Sequence, residues 1–124
     1  MDIPPPLPAA ASALIFARDF LSDPARWGCW KPLYGGKACA LGAIYLGYGG
    51  DPHANDDDID YEAYRDNEAV GFLAAAMPRS YYGRCGRQRS AIDTIWYTND
   101  DLYRANKHQT LLGYFDAAIE KALA

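Results

Sequence analysis

The sequence predicts a mainly α-helical, compact single domain of about four helices, arranged around a central helix of small residues at 38–48. Three observations indicate this fold class. Apolar residues recur at the three- and four-residue spacing of a helix near both ends of the chain. Half of the 124 residues are hydrophobic, which is enough for a core without disulfides or metals. The stretch ACALGAIYLG is apolar on every side, as in a buried helix.

An N-terminal arm is predicted before the domain. The prolines at residues 4–6 favour polyproline geometry, so residues 1–6 should form a flexible arm and residues 7–124 the helical domain. Asp2 stands where a signal peptide would carry a basic residue. No segment approaches the ~20 apolar residues of a membrane span. We therefore expect a protein of the cytoplasm, with no membrane association.

The first helix is predicted over residues 8–23. Asp23 precedes Pro24, and a residue before proline avoids helical geometry, so the helix should end at this pair. Its apolar face is formed by Ala10, Leu14, Ala17 and Leu21.

The central helix follows an aromatic segment. Residues 27–36 are predicted as a loop or short β-hairpin, with Gly35 and Gly36 in the turn. In the helix at 38–48, small residues such as Gly42 would let another backbone come close.

Residues 51–68 form an acidic segment with eight acidic residues and one arginine. A third helix is predicted from a cap at Asp57 or Asp58 to about Met77. The segment also has oxygen ligands at EF-hand spacing, but the sixth loop position, which demands glycine, is Asp56. We therefore expect no metal site.

The C-terminal third begins with a basic segment at 79–89, which has four arginines and no acidic residue. Its glycines predict a loop. Residues 92–97 are rich in β-branched and aromatic residues and predict a short strand. Asn-Asp-Asp at 99–101 predicts a turn. The last helix is predicted over about 107–123, with Asn106 as its N-cap.

Four short motifs resemble a known pattern. They are DPARW at 23–27, CALGAI at 39–44, ND at 99–100, and His108 ahead of FDAAI at 115–119. Together they resemble a family of small uncharacterised bacterial and phage proteins, classed as a domain of unknown function. The resemblance implies a mainly helical fold and a cytoplasmic setting in a bacterial or phage-infected host cell, and it brings no activity. Gly28 stands where the family often has glutamine, the usual WND is stretched to WYTND, and residues 49–90 match no part of the pattern.

Cys39, His108 and Asp100 are the candidate catalytic residues. Cys39 falls near the start of the central helix, where the partial positive charge of the terminus favours thiolate. A histidine that takes the proton and a carboxylate that orients it would complete a Cys-His-Asp arrangement. In the alternative, structural interpretation, the cysteine is a small buried hydrophobe, and His108 and Asp100 make hydrogen bonds at a turn and a helix start.

Eight residues are candidate binding residues. Trp27 and Trp30 flank Cys29 and either line a pocket or fill the core. The basic segment combines arginines with tyrosines, which suits phosphates or bases; alternatively it pairs with the acidic segment, within the chain or across a dimer. The ND motif adds an asparagine. The full set is Trp27, Trp30, Tyr81, Tyr82, Arg84, Arg87, Arg89 and Asn99.

Composition narrows the function classes. Three cysteines cannot form a closed disulfide framework, which indicates reduced thiols. The sequence has no phosphate-binding glycine loop, dinucleotide fingerprint or G-x-S-x-G, so we expect no cofactor. We favour a non-enzymatic binding or regulatory protein that contacts another protein, with a homodimer left open and nucleic acid disfavoured. Its size, acidity and family setting also fit a phage-type inhibitor of host machinery. The alternative is a thiol-dependent hydrolase or transferase.

Overall fold

Five α-helices and one small sheet make up the part of the chain that the structure describes. It is a computed structural model, and it describes residues 6–54 and 59–124. The helices are α1 (Ala9–Leu21), α2 (Ala40–Gly47), α3 (Glu68–Ala76), α4 (Ala91–Arg104) and α5 (His108–Leu123); strands β1 (Leu33–Tyr34) and β2 (Lys37–Ala38) pair antiparallel. The prediction of a mainly α-helical, compact single domain is confirmed. All of the predicted arm except Pro6 lies outside the described residues.

The core lies where α1, α2, α3 and α5 meet. α1 packs against α2 and α5, and α3 packs against α5 and α4. The predicted apolar face of α1 is buried, as periodicity requires. The largest fully buried side chains are Phe115, Leu14, Leu21, Ile44, Leu73, Ile95, Leu111, Val70 and Asn99. None of the described helices is long and apolar enough to span a membrane.

α1 ends two residues earlier than its proline predicts. Its last residue is Leu21, and the Asp23 carboxylate accepts a hydrogen bond from the Ala25 N–H. This cap opens a short 3-10 turn, Pro24–Arg26. The turn directs the chain from α1 into the aromatic segment.

The central position of α2 is confirmed, and small residues make it possible. Six of its eight residues are buried. A methyl group at Gly42 would overlap the carbonyl oxygen of Pro32, and one at Gly47 would overlap the carbonyl oxygen of Ala13. Both backbones therefore lie against α2 at distances that only glycine allows.

A hairpin is present, but it lies later in the chain than the predicted range of 27–36. β1 falls inside that range, whereas β2 follows it and includes Ala38, which was predicted as the start of the central helix. Gly35 and Gly36 form its turn at φ values of 53° and 80°, in the left-handed region. Both glycines are exposed, and a side chain there would meet open space, so backbone conformation and not crowding requires them.

The strand predicted at 92–97 and the turn predicted at 99–101 are wrong, since both lie in α4. The Ser90 hydroxyl caps this helix by accepting a hydrogen bond from the Asp93 N–H. Buried residues then recur at helical spacing, with Thr94 and Ile95 one turn before Asn99. The cap and the tertiary contacts of this face outweigh the β-propensity of the local residues.

Two helix starts also differ from the prediction. Asn67 caps α3 by accepting from the Val70 N–H, so α3 begins later than a cap at Asp57 or Asp58 would place it; those two residues lie outside the described part. Asn106 is not the N-cap of α5, because Lys107 holds that position.

Asn106 instead ends α4. Its φ of 55° is left-handed, its N–H donates to the Tyr103 carbonyl, and the Lys107 N–H donates to the Leu102 carbonyl. These two bonds are those of a Schellman motif, in which asparagine can replace glycine. α4 and α5 are thereby joined through a short connection.

Candidate functional site

The buried amide of Asn99 ties three segments together. Its Oδ1 accepts hydrogen bonds from Trp27 Nε1 at 2.8 Å and from the Ala40 N–H at 3.0 Å, and its Nδ2 donates to the Gly28 carbonyl at 3.0 Å. Both acceptor sites of the oxygen are therefore used. Since Asn99 is fully buried, these bonds hold the aromatic segment and the start of α2 against α4.

The neighbouring Asp100 holds the main chain at Trp30. Its Oδ1 accepts a hydrogen bond from the Trp30 N–H at 3.1 Å, and the carboxylate is 7% exposed. Trp30 has a φ of 75°. A left-handed backbone costs a residue with a side chain about 1–2 kcal/mol, so the surrounding contacts must stabilise this conformation.

The indole of Trp30 lies at the surface, where 66% of the residue is exposed. The guanidinium carbon of Arg104 is 5.8 Å from the ring centroid, within cation–π range. Lys31 is exposed beside it, and Lys37 lies close enough to influence the thiol of Cys29. We call Trp30, Lys31, Lys37 and Arg104 the Trp30 platform.

Cys29 lies beside the platform as a protonated thiol. Partial burial raises its pKa, and the negative charge of Asp100 raises it further, while Arg104 and Lys37 act in the opposite direction. A reactive cysteine needs a lowered pKa. This microenvironment therefore disfavours thiolate.

The three candidate catalytic residues lie in the same region, but their contacts serve the fold. Cys39 is 3% exposed and holds the N-cap position of α2, one residue before the helix, whereas the predicted helix at 38–48 included it. His108 Nε2 lies 2.6 Å from the Leu21 carbonyl oxygen, so this nitrogen carries a proton and donates it to the end of α1. Asp100 is turned to the Trp30 main chain. The side-chain contacts of His108 and Asp100 are hydrogen bonds to main-chain groups, which is the kind of role that the structural interpretation gives these two residues.

The four sequence motifs meet around Trp27. Its indole donates to Asn99 and lies 5.4 Å from the ring of His108, and Asn99 also binds the main chain at Ala40. Residues from all four motifs thus belong to one connected cluster. Of the predicted binding residues, Trp27 and Asn99 are buried in this cluster and Trp30 is displayed by it.

The other predicted binding residues lie at the opposite end of α4. Residues 80–89, which we call the basic hairpin, close through an antiparallel bridge between Tyr81 and Gln88. The Tyr82 N–H donates to the Arg87 carbonyl at 2.7 Å, and the Arg89 N–H donates to the Ser80 carbonyl at 2.8 Å. The predicted loop is therefore an ordered turn that leads into the cap of α4.

Arginine and tyrosine side chains stack on this hairpin. The guanidinium carbon of Arg89 is 3.7 Å from the ring centroid of Tyr97 and 5.5 Å from that of Tyr82. Arg87 lies 5.3 Å from the Tyr82 ring. The Tyr82 hydroxyl donates to Asp93, and this bond is the main reason that the pKa of Tyr82 is raised. Arg84 is exposed at the tip.

Two depressions lie on the surface of the described part of the chain, and one of them adjoins the basic hairpin. A cavity of about 360 Å³ beside the basic hairpin is lined by Glu62, Arg65, Tyr82, Arg87, Gln88, Ser90, Ile92 and Asp93. An apolar groove of about 500 Å³ between α3 and α5 contains none of the predicted site residues.

Sequence reasoning missed Lys37 and Arg104. Arg104 follows Asp100 by one helical turn, so the two share a face of α4. The four-residue spacing from Asp100 to Arg104 could have indicated that the two side chains are neighbours. It does so only in a helix, and residues 92–101 were predicted as a strand and a turn. Lys37 has no comparable signal.

Metal ligands do not gather in the described residues, where no group of three His, Cys, Asp or Glu side chains is placed to hold an ion. Two of the five ligand positions of the EF-hand pattern, and the position that demands glycine, lie outside the described part, at residues 55–57. The Asp51 carboxylate accepts from the His53 N–H at 2.8 Å, a local turn contact.

Comparison with known proteins gives no match among family models, curated proteins or solved structures. The resemblance to the bacterial and phage family therefore rests on the four quoted motifs.

Proposed function

We propose that the chain is a non-enzymatic protein-binding module whose contact surface is the Trp30 platform. The observation that carries this proposal is an exposed indole on a left-handed backbone, with its N–H held by the buried carboxylate of Asp100. Backbone strain of this kind clusters at functional sites. Tryptophan and arginine are the side chains most enriched among the residues that dominate binding energy at interfaces.

The platform also specifies the chemistry of a partner. Its charges are positive, although the net charge of the chain is −4. Arg104 lies over the indole, Lys31 follows Trp30 in the chain, and Lys37 acts on the neighbouring Cys29. A complementary surface would offer an apolar pocket for the indole with carboxylates at its edge. Charge complementarity at the rim would mainly raise the association rate, and burial of the indole would set the lifetime of the complex.

A binding role is better supported than thiol chemistry by the state of the cysteines. Cys39 is almost fully buried, and the pKa of the more accessible Cys29 is raised by burial and by Asp100. Both conditions oppose nucleophilic attack. An inhibitor of host machinery would be one kind of binding protein, and it would use the same surface.

The test compares capture of cellular proteins by three immobilised forms: the unmodified chain, Trp30→Ala, and Phe16→Ala as a matched control. Phe16 is also exposed, at 48%, but lies on α1. A protein captured by the unmodified chain and by the control should be lost with Trp30→Ala. Once that protein is purified, Trp30→Ala should raise the dissociation constant of the complex by about 30-fold or more, as for a central interface residue.

Equal affinity of Trp30→Ala and the unmodified chain would contradict the proposal. So would turnover of a thiol-reactive ester substrate that is abolished by Cys39→Ala and unaffected by Trp30→Ala. The second result would favour the hydrolase alternative.

A further inference from the structure

The arginines of the basic hairpin lack carboxylate partners within the described part of the chain. The ion pairs there involve Arg18, Arg26, Arg65 and Arg104. Arg84 and Arg87 are exposed, and their neighbours in the hairpin carry no negative charge. The hairpin therefore presents positive charge to its surroundings.

Stacking prepares two of these arginines for binding. The guanidinium carbons of Arg87 and Arg89 lie within cation–π range of tyrosine rings, at 5.3 Å from Tyr82 and 3.7 Å from Tyr97. One edge of Arg89 is used, since its Nε donates to the Tyr81 carbonyl at 3.1 Å. A guanidinium fixed in this way loses little conformational entropy when it forms a paired hydrogen bond with a carboxylate.

An acidic surface lies directly beside the hairpin. The short 3-10 turn Tyr61–Tyr64 carries exposed Glu62 and is flanked by exposed Asp60 and Asp66; we call this set the acidic turn. Glu62 lines the same cavity as Arg87. Its only ion pair among the described residues is with Arg65, at 3.5 Å.

This arrangement decides between two kinds of partner. A nucleic acid following the hairpin would bring its phosphates against the acidic turn, in a chain that is already net negative. A surface with a positive area beside a negative area instead fits a partner surface whose negative area faces the positive one and whose positive area faces the negative one. A two-fold axis supplies this reversed order from a second copy of the chain.

We propose that two copies of the chain associate across a two-fold axis, with the basic hairpin of each copy against the acidic turn of the other. The contact is separate from the Trp30 platform, which lies at the other end of α4, and does not depend on the proposed function. A stable interface buries about 800 Å² on each partner, roughly a tenth of the 7610 Å² surface of the described chain. The contact is mostly charged, so it should be weak and salt-dependent.

The experiment measures the dimer dissociation constant by sedimentation equilibrium at about 50 mM and about 500 mM NaCl, where the screening length falls several-fold. We expect the unmodified chain to dimerise at low salt and to lose about tenfold or more in affinity at high salt. Arg84→Glu/Arg87→Glu should be monomeric at both, and so should Glu62→Lys/Asp66→Lys. A mixture of the two variants should form a heterodimer. The acidic hairpin of the first variant then faces the basic turn of the second, and the unmodified hairpin of the second faces the unmodified acidic turn of the first.

The control is Lys107→Glu/Lys121→Glu, which changes the net charge as much as the hairpin variant but at exposed positions on and beside α5. It should dimerise like the unmodified chain. Circular dichroism melts check that every variant folds.

Three results would overturn the proposal. They are an unmodified chain that stays monomeric at millimolar concentration in low salt, variants that dimerise normally, and a mixture that does not associate. A fluorescent single-stranded oligonucleotide that binds the unmodified chain and not Arg84→Glu/Arg87→Glu would also overturn it, and would assign the hairpin to a polyanion.

Discussion

At the scale of single residues, Asn99 shows what one buried amide can organise. It satisfies an indole N–H, a helix-start N–H and a loop carbonyl, all of which belong to buried residues. Leaving buried polar groups without partners costs about 1–3 kcal/mol for each group. The stability of this region therefore depends on a side chain that does not belong to the apolar core.

Asn99→Ala should lower the free energy of unfolding by about 2–4 kcal/mol, since three buried hydrogen bonds are lost and relaxation recovers part of their energy. Urea denaturation followed by circular dichroism measures the change. Asp101→Ala is the control, because its exposed ion pair with Arg104 should contribute less than about 0.5 kcal/mol. Equal stability of the two variants would show that the Asn99 bonds are not needed.

The left-handed backbone at Trp30 predicts that a substitution there can abolish partner binding without lowering the stability of the fold. Trp30→Gly should leave the free energy of unfolding unchanged or raise it by up to about 1 kcal/mol, because relief of the left-handed strain outweighs the greater entropy of unfolded glycine. The same change should abolish partner binding. A loss of more than about 1 kcal/mol in urea titration would mean that the indole stabilises the fold.

Asp100 also controls the thiol beside the platform. It is one of two causes that raise the pKa of Cys29, after burial. Asp100→Asn keeps an oxygen that can accept the Trp30 N–H but removes the charge, so the pKa of Cys29 should fall. More thiolate is then present at any pH below that pKa, and alkylation of Cys29 at pH 8 should become faster.

Mass spectrometry of peptides labelled with iodoacetamide gives the rate at each cysteine. Exposed Cys85 is an internal reference whose rate should not change, and Asp101→Asn is the matched charge control. An unchanged Cys29 rate in Asp100→Asn would contradict the electrostatic coupling.

At the scale of elements, the helices that periodicity predicted are confirmed, and the errors come from contacts between distant residues. α1 and α5 could be predicted because the apolar residues of their buried faces recur every three or four positions in the sequence. α4 was not, because a β-branched and aromatic segment becomes helical only when Ser90 caps it and when its buried face meets the aromatic segment and the rest of the core. The role of Asn106 was misjudged for a local reason: its side-chain chemistry suits a cap, but its left-handed backbone and its bond to Tyr103 end the preceding helix.

Glycines in two helices provide a paired test of packing. Gly42→Ala should destabilise the protein by about 1–3 kcal/mol or more, because the new methyl overlaps the Pro32 carbonyl. Gly71→Ala in α3 should instead stabilise it by about 0.5–1 kcal/mol, because a methyl there meets open space and alanine is the better helix former. Thermal unfolding monitored by calorimetry should show shifts of opposite sign, and shifts of the same sign would refute the close approach at α2.

At the scale of the whole molecule, the sequence named most of the relevant residues but not their arrangement. Trp27, Asn99 and His108 were chosen from separate motifs, and only the packed fold brings them to one cluster. Similarly, Trp30 and the stacked arginines were both binding candidates, yet α4 separates them to its two ends. Composition and local spacing contain no information about such distances, because these depend on how helices pack. The cation–π partner of Trp30 was missed for this reason.

The bond between Asp100 and the Trp30 main chain also has a dynamic consequence. The most exposed large apolar side chain of the described residues has a main-chain amide that is held by a buried carboxylate of α4. That amide should exchange with deuterium only when α4 separates from the loop, far more slowly than a typical surface amide. Exchange at Trp30 that matched the exposed turn at Gly35 would contradict this. If the Trp30 amide is protected, a partner that binds the indole is connected to α4 through the bond between the Trp30 main chain and Asp100. Force on the indole would then reach the core and not only a flexible loop.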